Sequence, residues 1–286
     1  MVHRLEYPRP QFVRERWQAL NGEWDFTFDD DNLGLLEEWH KEKIKDKTII
    51  VPYAYQSELS GIQDQAVHPI VWYQRDFSIP EEWQKSQIIL NFNAVDYRST
   101  IWVNGKLVGV NKGGYVGFKF DITDCLVEGT NQVTIRVEDY PSIKQPRGKQ
   151  TARQEGSWAC WYTPVTGIWQ SVWLEAVGST SIDHVKLEPN IDDSTVQVHY
   201  WLNNVSSAVT LECLVKKEGR RIGSTQVEVE RRHHRFGDRI PRNEGSFTLS
   251  IPEAELWSPE RPHLYDLELR VIESGIVLDE VKTYVG

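Results

Sequence analysis

The chain has 286 residues, which is enough for about two domains and a sizeable core. Its 42 acidic and 32 basic residues give a net charge of −10, so we expect neither nucleic acid nor an anionic membrane as a partner. No apolar run has the length of a signal peptide or a membrane span, which favours a cytoplasmic protein.

The patterns in the first half are mostly of the β type. Helical periodicity is confined to Leu33–Glu42 and to Pro80–Lys85, which opens with a proline as first helical turns often do. Asn104 and Gly105 separate two β-branched runs and predict a tight hairpin, because a type I′ turn needs two positive φ values. The acidic stretch Asp29–Asn32 lies in a loop-like context, where we expect solvated charge.

The composition changes near residue 179. After the small residues of 176–181, seven short β-type runs follow, which is the number and size typical of an immunoglobulin-like sandwich. Only Cys213 lies in this part, so the antibody-type disulfide is excluded. The arginine-rich stretch Arg231–Arg242 is interpreted as a solvated loop, with a partner contact as the alternative.

The cysteines and the aromatic residues further limit the possible functions. Cys125, Cys160 and Cys213 are widely spaced, which fits isolated reduced thiols. No Cys or His spacing suggests zinc, and Asp29–Asn32 lacks the ligand spacing of a calcium loop, so we expect no metal and no cofactor. The 12 tryptophans and 11 tyrosines suit sandwich cores or surfaces that recognise amphipathic ligands such as sugars.

Six stretches carry a resemblance to a known family. In chain order they are Arg16–Phe28, Val71–Pro80, Ala94–Thr123, Arg147–Gln150, Trp161–Glu175 and Leu256–Leu269. They resemble glycoside hydrolase family 2, which includes β-galactosidases, β-glucuronidases and β-mannosidases. The resemblance implies an all-β chain: a jelly-roll (galactose-binding-like) β-sandwich that binds sugar at residues 1–178, followed by an immunoglobulin-like β-sandwich at residues 182–286.

The resemblance also bears on catalysis. In that family two glutamates of a following (β/α)8 barrel perform retaining hydrolysis. The alternation of strand and helix typical of a barrel does not occur in this sequence. We therefore expect the barrel and its catalytic residues to be absent, and the chain to be inactive alone. The parent protein would be a retaining β-glycosidase, in which the barrel is the partner of these domains and a homo-oligomer can form.

Candidate substrate-binding residues follow from the resemblance. Trp161 stands five residues before Thr166, where family members carry a carboxylate that touches the sugar, and its face can stack on a pyranose. His68 stands five residues before Tyr73, where some β-galactosidases carry a sugar-binding asparagine; a merely solvated histidine is the alternative. Gln150 and Trp158 are further candidates in the same polar stretch as Trp161, which we expect to be a long irregular loop with a partly exposed tryptophan.

The predicted function is therefore that of the N-terminal portion of a family 2 glycosidase, most like a β-galactosidase. It would support the barrel and contribute to the edge of the sugar site, and alone it would bind a β-glycoside sugar weakly. Two alternatives remain open: a free-standing, non-enzymatic carbohydrate-binding protein and a purely structural interaction module.

Overall fold

The structure is a computed structural model that describes residues 4–44, 46–142, 144–151, 157–230 and 242–286. The chain forms two compact units. Unit 1 consists of Met1–Pro8 and Trp17–Ala176, and unit 2 of Arg9–Arg16 and Val177–Gly286. Among the described residues, no helix is both long and apolar enough to cross a lipid bilayer.

Unit 1 is a sandwich of antiparallel sheets. One sheet has six strands in the order β3-β2-β4-β10-β7-β8, another has four in the order β1-β12-β5-β9, and β6 pairs with β11. The strands are β1 (Trp17–Ala19), β2 (Gly22–Phe28), β3 (Lys47–Val51), β4 (Ile70–Ser78), β5 (Gln87–Phe92), β6 (Val95–Asp96), β7 (Arg98–Val103), β8 (Lys106–Lys112), β9 (Phe118–Asp121), β10 (Thr130–Glu138), β11 (Gly167–Ile168) and β12 (Val172–Val177).

The core of unit 1 lies between its two large sheets. Tyr73 and Ile135 of the six-stranded sheet meet Leu90 and Leu174 of the four-stranded sheet, and all four are fully buried. Strand β4 is buried on both faces, because its outward-facing Trp72 packs in a second apolar cluster. This continuous burial explains the nearly uninterrupted apolar sequence at the start of β4.

The predicted hairpin at Asn104 and Gly105 is confirmed. β7 and β8 pair on either side of the two residues. Asn104 has φ 52° and Gly105 has φ 73°, as a type I′ turn requires.

The predicted helix at Leu33–Glu42 is wrong, because these residues form consecutive turns. The amide of Trp39 donates to the carbonyl oxygen of Gly34, five residues back, and Glu38 has φ 52°, which interrupts a right-handed helix. Trp39 of the segment packs on the outer face of the six-stranded sheet, where its ring lies 5.7 Å from that of Trp72, whereas Leu33, Leu35 and Leu36 are exposed. At Pro80–Lys85 the structure has only a 3-10 turn, Glu81–Trp83.

The prediction of solvated charge is wrong for Asp29. Its side chain is buried, and its carboxylate accepts hydrogen bonds from three donors. The amides of Leu33 and Gly34 donate at 2.7 and 3.1 Å, and the indole nitrogen of Trp72 donates at 2.8 Å. Asp29 therefore ties the following segment to the outer face of the sheet.

Unit 2 contains the seven predicted strands as two antiparallel sheets, β13-β14-β17 and β16-β15-β18-β19. Apolar side chains from both sheets, such as Val198 and Leu269, form one core. The strands are β13 (Ser181–Asn190), β14 (Thr195–Asn203), β15 (Val209–Lys217), β16 (Arg220–Val229), β17 (Arg242–Ser250), β18 (Tyr265–Glu273) and β19 (Ile276–Val285).

A buried ion pair ties residues 9–16 to the rest of unit 2. The guanidinium of Arg14 donates to both carboxylate oxygens of Asp279, at 3.1 and 2.8 Å, and to the carbonyl oxygen of Ile182 at 2.6 Å. The amide of Ile182 in turn donates to Asp279 at 2.8 Å.

The predicted fold class, a jelly-roll sandwich followed by an immunoglobulin-like sandwich, is confirmed. The arginine-rich loop predicted at Arg231–Arg242 lies outside the described residues, except that β17 begins at Arg242.

Candidate functional site

Several strand ends of the six-stranded sheet meet at one edge of unit 1. β2 and β10 end where their antiparallel neighbours β4 and β7 begin. Glu138, the last residue of β10, is in register with both Ile70 of β4 and Arg98 of β7. The topology thus gathers the residues that flank these strand ends. We call this edge the site edge, and its polar members include Asp30, His68, Asp96 and Asp139.

His68 lies in the loop before β4, between two carboxylates. Its Nδ1 is 2.8 Å from an oxygen of Asp30, and its Nε2 is 3.3 Å from an oxygen of Asp64. The imidazole stacks on Phe28 with a centroid distance of 3.7 Å and an interplanar angle of 18°. These contacts hold the ring in one orientation, and 15% of the side chain stays accessible to solvent.

Tyr55 holds the loop that carries His68. Its hydroxyl donates to the carbonyl oxygen of Ala66 at 2.9 Å and accepts from the amide of His68 at 3.1 Å. Burial raises the pKa of Tyr55 to about 12, so the phenol remains neutral at physiological pH. One buried tyrosine therefore fixes the loop of His68 at two backbone positions.

Asp139 directly follows β10 and accepts hydrogen bonds from two neutral side chains. The Thr166 hydroxyl donates to Oδ2 at 2.6 Å, and the Gln145 amide donates to Oδ1 at 2.5 Å. Burial raises the pKa of Asp139, against the lowering effects of these two hydrogen bonds and of the positive charge of Arg147.

Asp96, at the end of β6, is the most enclosed carboxyl group of the site edge, with 1% of its surface exposed. The Gln150 amide donates to its Oδ2 at 2.8 Å. Within the described part of the chain, its Oδ1 is buried and has no hydrogen-bond partner. Burial, reinforced by the negative charge of Asp139, raises the pKa of Asp96 to about 7.

Gln150 is buried, and both ends of its amide are engaged by the protein. Besides Asp96, its nitrogen donates to the hydroxyl of Tyr115 at 2.8 Å, and its oxygen accepts from the amide of Val165 at 2.6 Å. Tyr115 is half exposed, and its ring lies 5.9 Å from that of Trp169 in an edge-to-face arrangement. The amide of Gln150 therefore fixes the position of a more exposed aromatic pair.

Trp158 and Trp161 lie in what we call the aromatic segment, residues 144–151 and 157–166. Two backbone hydrogen bonds join these tryptophans, at 3.0 and 2.8 Å, and Tyr162 donates to the carbonyl oxygen of Lys149 at 3.0 Å. Trp158 is 44% exposed, Trp161 is partly buried, and the neighbouring Cys160 is exposed. The segment therefore presents aromatic surface while its ends are bound to the site edge.

The structure places all four predicted site residues at the site edge or on the segment attached to it. Asp96 and Asp139 are the members that sequence reasoning missed. Each is a single aspartate beside a strand end, and only the three-dimensional contacts reveal its burial. Among the described residues, no group of three or more His, Cys, Asp or Glu side chains could hold a metal ion.

The sequence matches two family profiles along its length. Residues 17–177 match the sugar binding domain of glycosyl hydrolases family 2, and residues 180–286 match a second profile of glycosyl hydrolases family 2. The chain belongs to glycosyl hydrolase family 2. The family 2 matches leave a gap of two residues, 178 and 179, which lie within the small-residue stretch 176–181.

Similar family 2 proteins are longer than this chain. A β-glucuronidase of Paenibacillus borealis is 26% identical over 98% of the chain and 46% of its own length. A β-galactosidase of Thermoanaerobacter pseudethanolicus is 24% identical over 94% of the chain and 33% of its own length. The crystal structure of Ruminococcus gnavus β-glucuronidase superposes with a TM-score of 0.72 and 22% identity, over 99% of this chain and 46% of that one. The chain thus spans less than half the length of these relatives.

Proposed function

We propose that the chain is the N-terminal portion of a retaining β-glycosidase, in which unit 1 contributes to the edge of the sugar site. The observation that carries the proposal is that His68 lies at the site edge while Trp158 and Trp161 lie on the segment attached to it, with aromatic surface exposed. The β-glucuronidases and β-galactosidases among the relatives support this class of activity.

The side chains of the edge suit distinct contacts with a sugar. An exposed indole such as that of Trp158 can stack on the C–H face of a pyranose, and Trp161 would extend that surface. The accessible part of the His68 imidazole can donate hydrogen bonds to sugar hydroxyl groups or accept them. Gln150 has no free amide atom, so we assign it to positioning the segment instead of touching the sugar.

The charge at the exposed part of the edge favours a neutral glycon. Asp30 and Asp64 flank His68, and carboxylates there would repel a uronate. We therefore propose a β-galactoside as the favoured substrate class. A β-glucuronide is the second candidate, because some relatives are named β-glucuronidases. The catalytic carboxylates would come from a barrel domain, so the chain alone should leave nitrophenyl β-glycosides intact.

The test is a titration of the purified chain with galactose and with glucuronate, followed by tryptophan fluorescence. One stacking face without the hydrogen bonds of a complete site yields millimolar affinity at best. We expect weak binding of galactose that Trp161→Ala weakens further, while Trp257→Ala in unit 2 serves as the matched control. Micromolar binding that Trp161→Ala abolishes would instead indicate a free-standing carbohydrate-binding protein, and no difference between the two variants would refute the proposed site.

A further inference from the structure

Two carboxyl groups of the site edge hold the aromatic segment through neutral donors. Asp96 receives the amide of Gln150, and Asp139 receives the Thr166 hydroxyl and the Gln145 amide. These hydrogen bonds join the start, the middle and the end of the segment to the two aspartates. Neither carboxyl group has a cation within ion-pair distance among the described residues; Arg147 acts on Asp139 only through its field.

Apart from the attraction between Arg147 and Asp139, the described groups that surround this pair supply no compensating charge. The phenols of Tyr55 and Tyr73 stay neutral, since burial raises the pKa of both. Three other cations of this region have contacts of their own. Arg98 and Arg136 share Glu138, at 3.1 and 2.8 Å, and Lys112 lies over the ring of Tyr97.

The environment of Asp96 makes its ionised form costly. A buried carboxylate oxygen without a donor loses its hydration and gains no hydrogen bond in return. The Oδ1 of Asp96 is such an atom within the described residues, and it lies against Gly114, where an added methyl group would clash with it. A protonated carboxyl group avoids most of this cost while its other oxygen still accepts from Gln150.

We propose that Asp96 and Asp139 are positioning residues for the aromatic segment, which they hold firmly while one of them carries a proton and weakly when both are ionised. The proposal rests on the proposed function only in stating what the segment is positioned for. The quantity that changes with pH is the free energy of attachment of residues 157–166 to the site edge.

The direction of the pH dependence follows from the carboxyl pKa values. Burial first, and the neighbouring Asp139 second, raise the pKa of Asp96 to about 7 in the attached state. When the segment detaches, Asp96 meets water and its pKa returns towards about 3.9. The attached state thus binds the proton more strongly between about pH 4 and pH 7. Its stability falls as pH rises through that window and stays low above it.

The experiment compares amide hydrogen exchange in peptides covering residues 157–166 for the wild-type chain and Asp96→Asn. The two proteins are compared at the same pH, so the intrinsic exchange rates cancel. Asparagine keeps one acceptor oxygen and cannot ionise. For a pKa of about 7 in the attached state and about 3.9 in the detached state, linkage gives a variant better protected than wild type by up to ~1,000-fold at pH 8 and ~13-fold at pH 5. We expect the ratio at pH 8 to exceed that at pH 5 at least tenfold.

Asp139→Asn is the second variant. It removes the charge that opposes ionisation of Asp96, so we expect a smaller pH dependence of protection than in wild type. Equal protection ratios at both pH values, or weaker protection of Asp96→Asn at pH 8, would overturn the inference, because the carboxylate would then be a required acceptor. Exchange reports attachment and the sugar titration reports binding, so failure of this inference and failure of the proposed function are distinguishable.

Discussion

Two adjacent aspartates should respond to substitution in opposite ways. Asp29 is buried and accepts from the Trp72 indole and the Gly34 amide, both of which are themselves buried. Asp29→Ala leaves these two donors without an acceptor, at about 1–3 kcal/mol each, so unit 1 should lose about 2–6 kcal/mol of unfolding free energy. Asp30 is exposed, and among the described residues its carboxylate pairs with His68, so Asp30→Ala should cost less than about 1 kcal/mol.

Urea unfolding followed by tryptophan fluorescence measures this difference. Of the 12 tryptophans, all but Trp201 and Trp257 lie in unit 1, so the signal reports mainly on that unit. The sugar titration gives a second readout, in which Asp30→Ala should alter galactose binding by releasing His68. Equal destabilisation by the two substitutions would refute the assignment of Asp29 to the fold and of Asp30 to the site.

Two further predictions concern the core of each unit. Arg14→Ala should destabilise unit 2 by about 3–5 kcal/mol, because it leaves the buried carboxylate of Asp279 without its cation. Glu15→Ala, which removes the exposed ion pair with Lys282, should cost less than about 1 kcal/mol. Hydrogen exchange at β19 amides measures both values, and similar costs would contradict the burial argument. Gly114→Ala should destabilise unit 1 by about 1–3 kcal/mol in urea, because the new methyl group clashes with the Asp96 carboxyl group; an unchanged midpoint would contradict that contact.

The sequence predicts those features that depend on local chemistry. Asn104 and Gly105 specify their turn because both backbone conformations are positive in φ, and alternation identifies the strands of unit 2. The segment at Leu33–Glu42 shows the limit of periodicity. Its apolar residues do recur at helical spacing, but they lie on successive turns, in which Trp39 packs on a sheet face while Leu35 and Leu36 are exposed.

The site was predictable only in part. Family resemblance points to His68 and Trp161, Gln150 and Trp158 are candidates from the same stretch as Trp161, and the structure places all four at or beside one edge. The sequence does not indicate that Gln150 is buried, or that Asp96 is buried with an oxygen that has no hydrogen-bond partner among the described residues. Those properties arise from contacts between residues about 50 positions apart in sequence, such as that between Gln150 and Asp96. Burial of a single polar residue has no periodic signature in the sequence.

The most direct test of a sugar-binding edge on unit 1 is a titration of the isotope-labelled chain with methyl β-galactoside, followed through its tryptophan indole N–H resonances. Trp158 and Trp161 lie at the proposed site, whereas Trp201 and Trp257 belong to unit 2. We predict dose-dependent shifts of the Trp158 and Trp161 signals with no change at Trp201 or Trp257. Shifts confined to the tryptophans of unit 2, or no shift at tens of millimolar sugar, a range set by the expected weak affinity, would contradict the account.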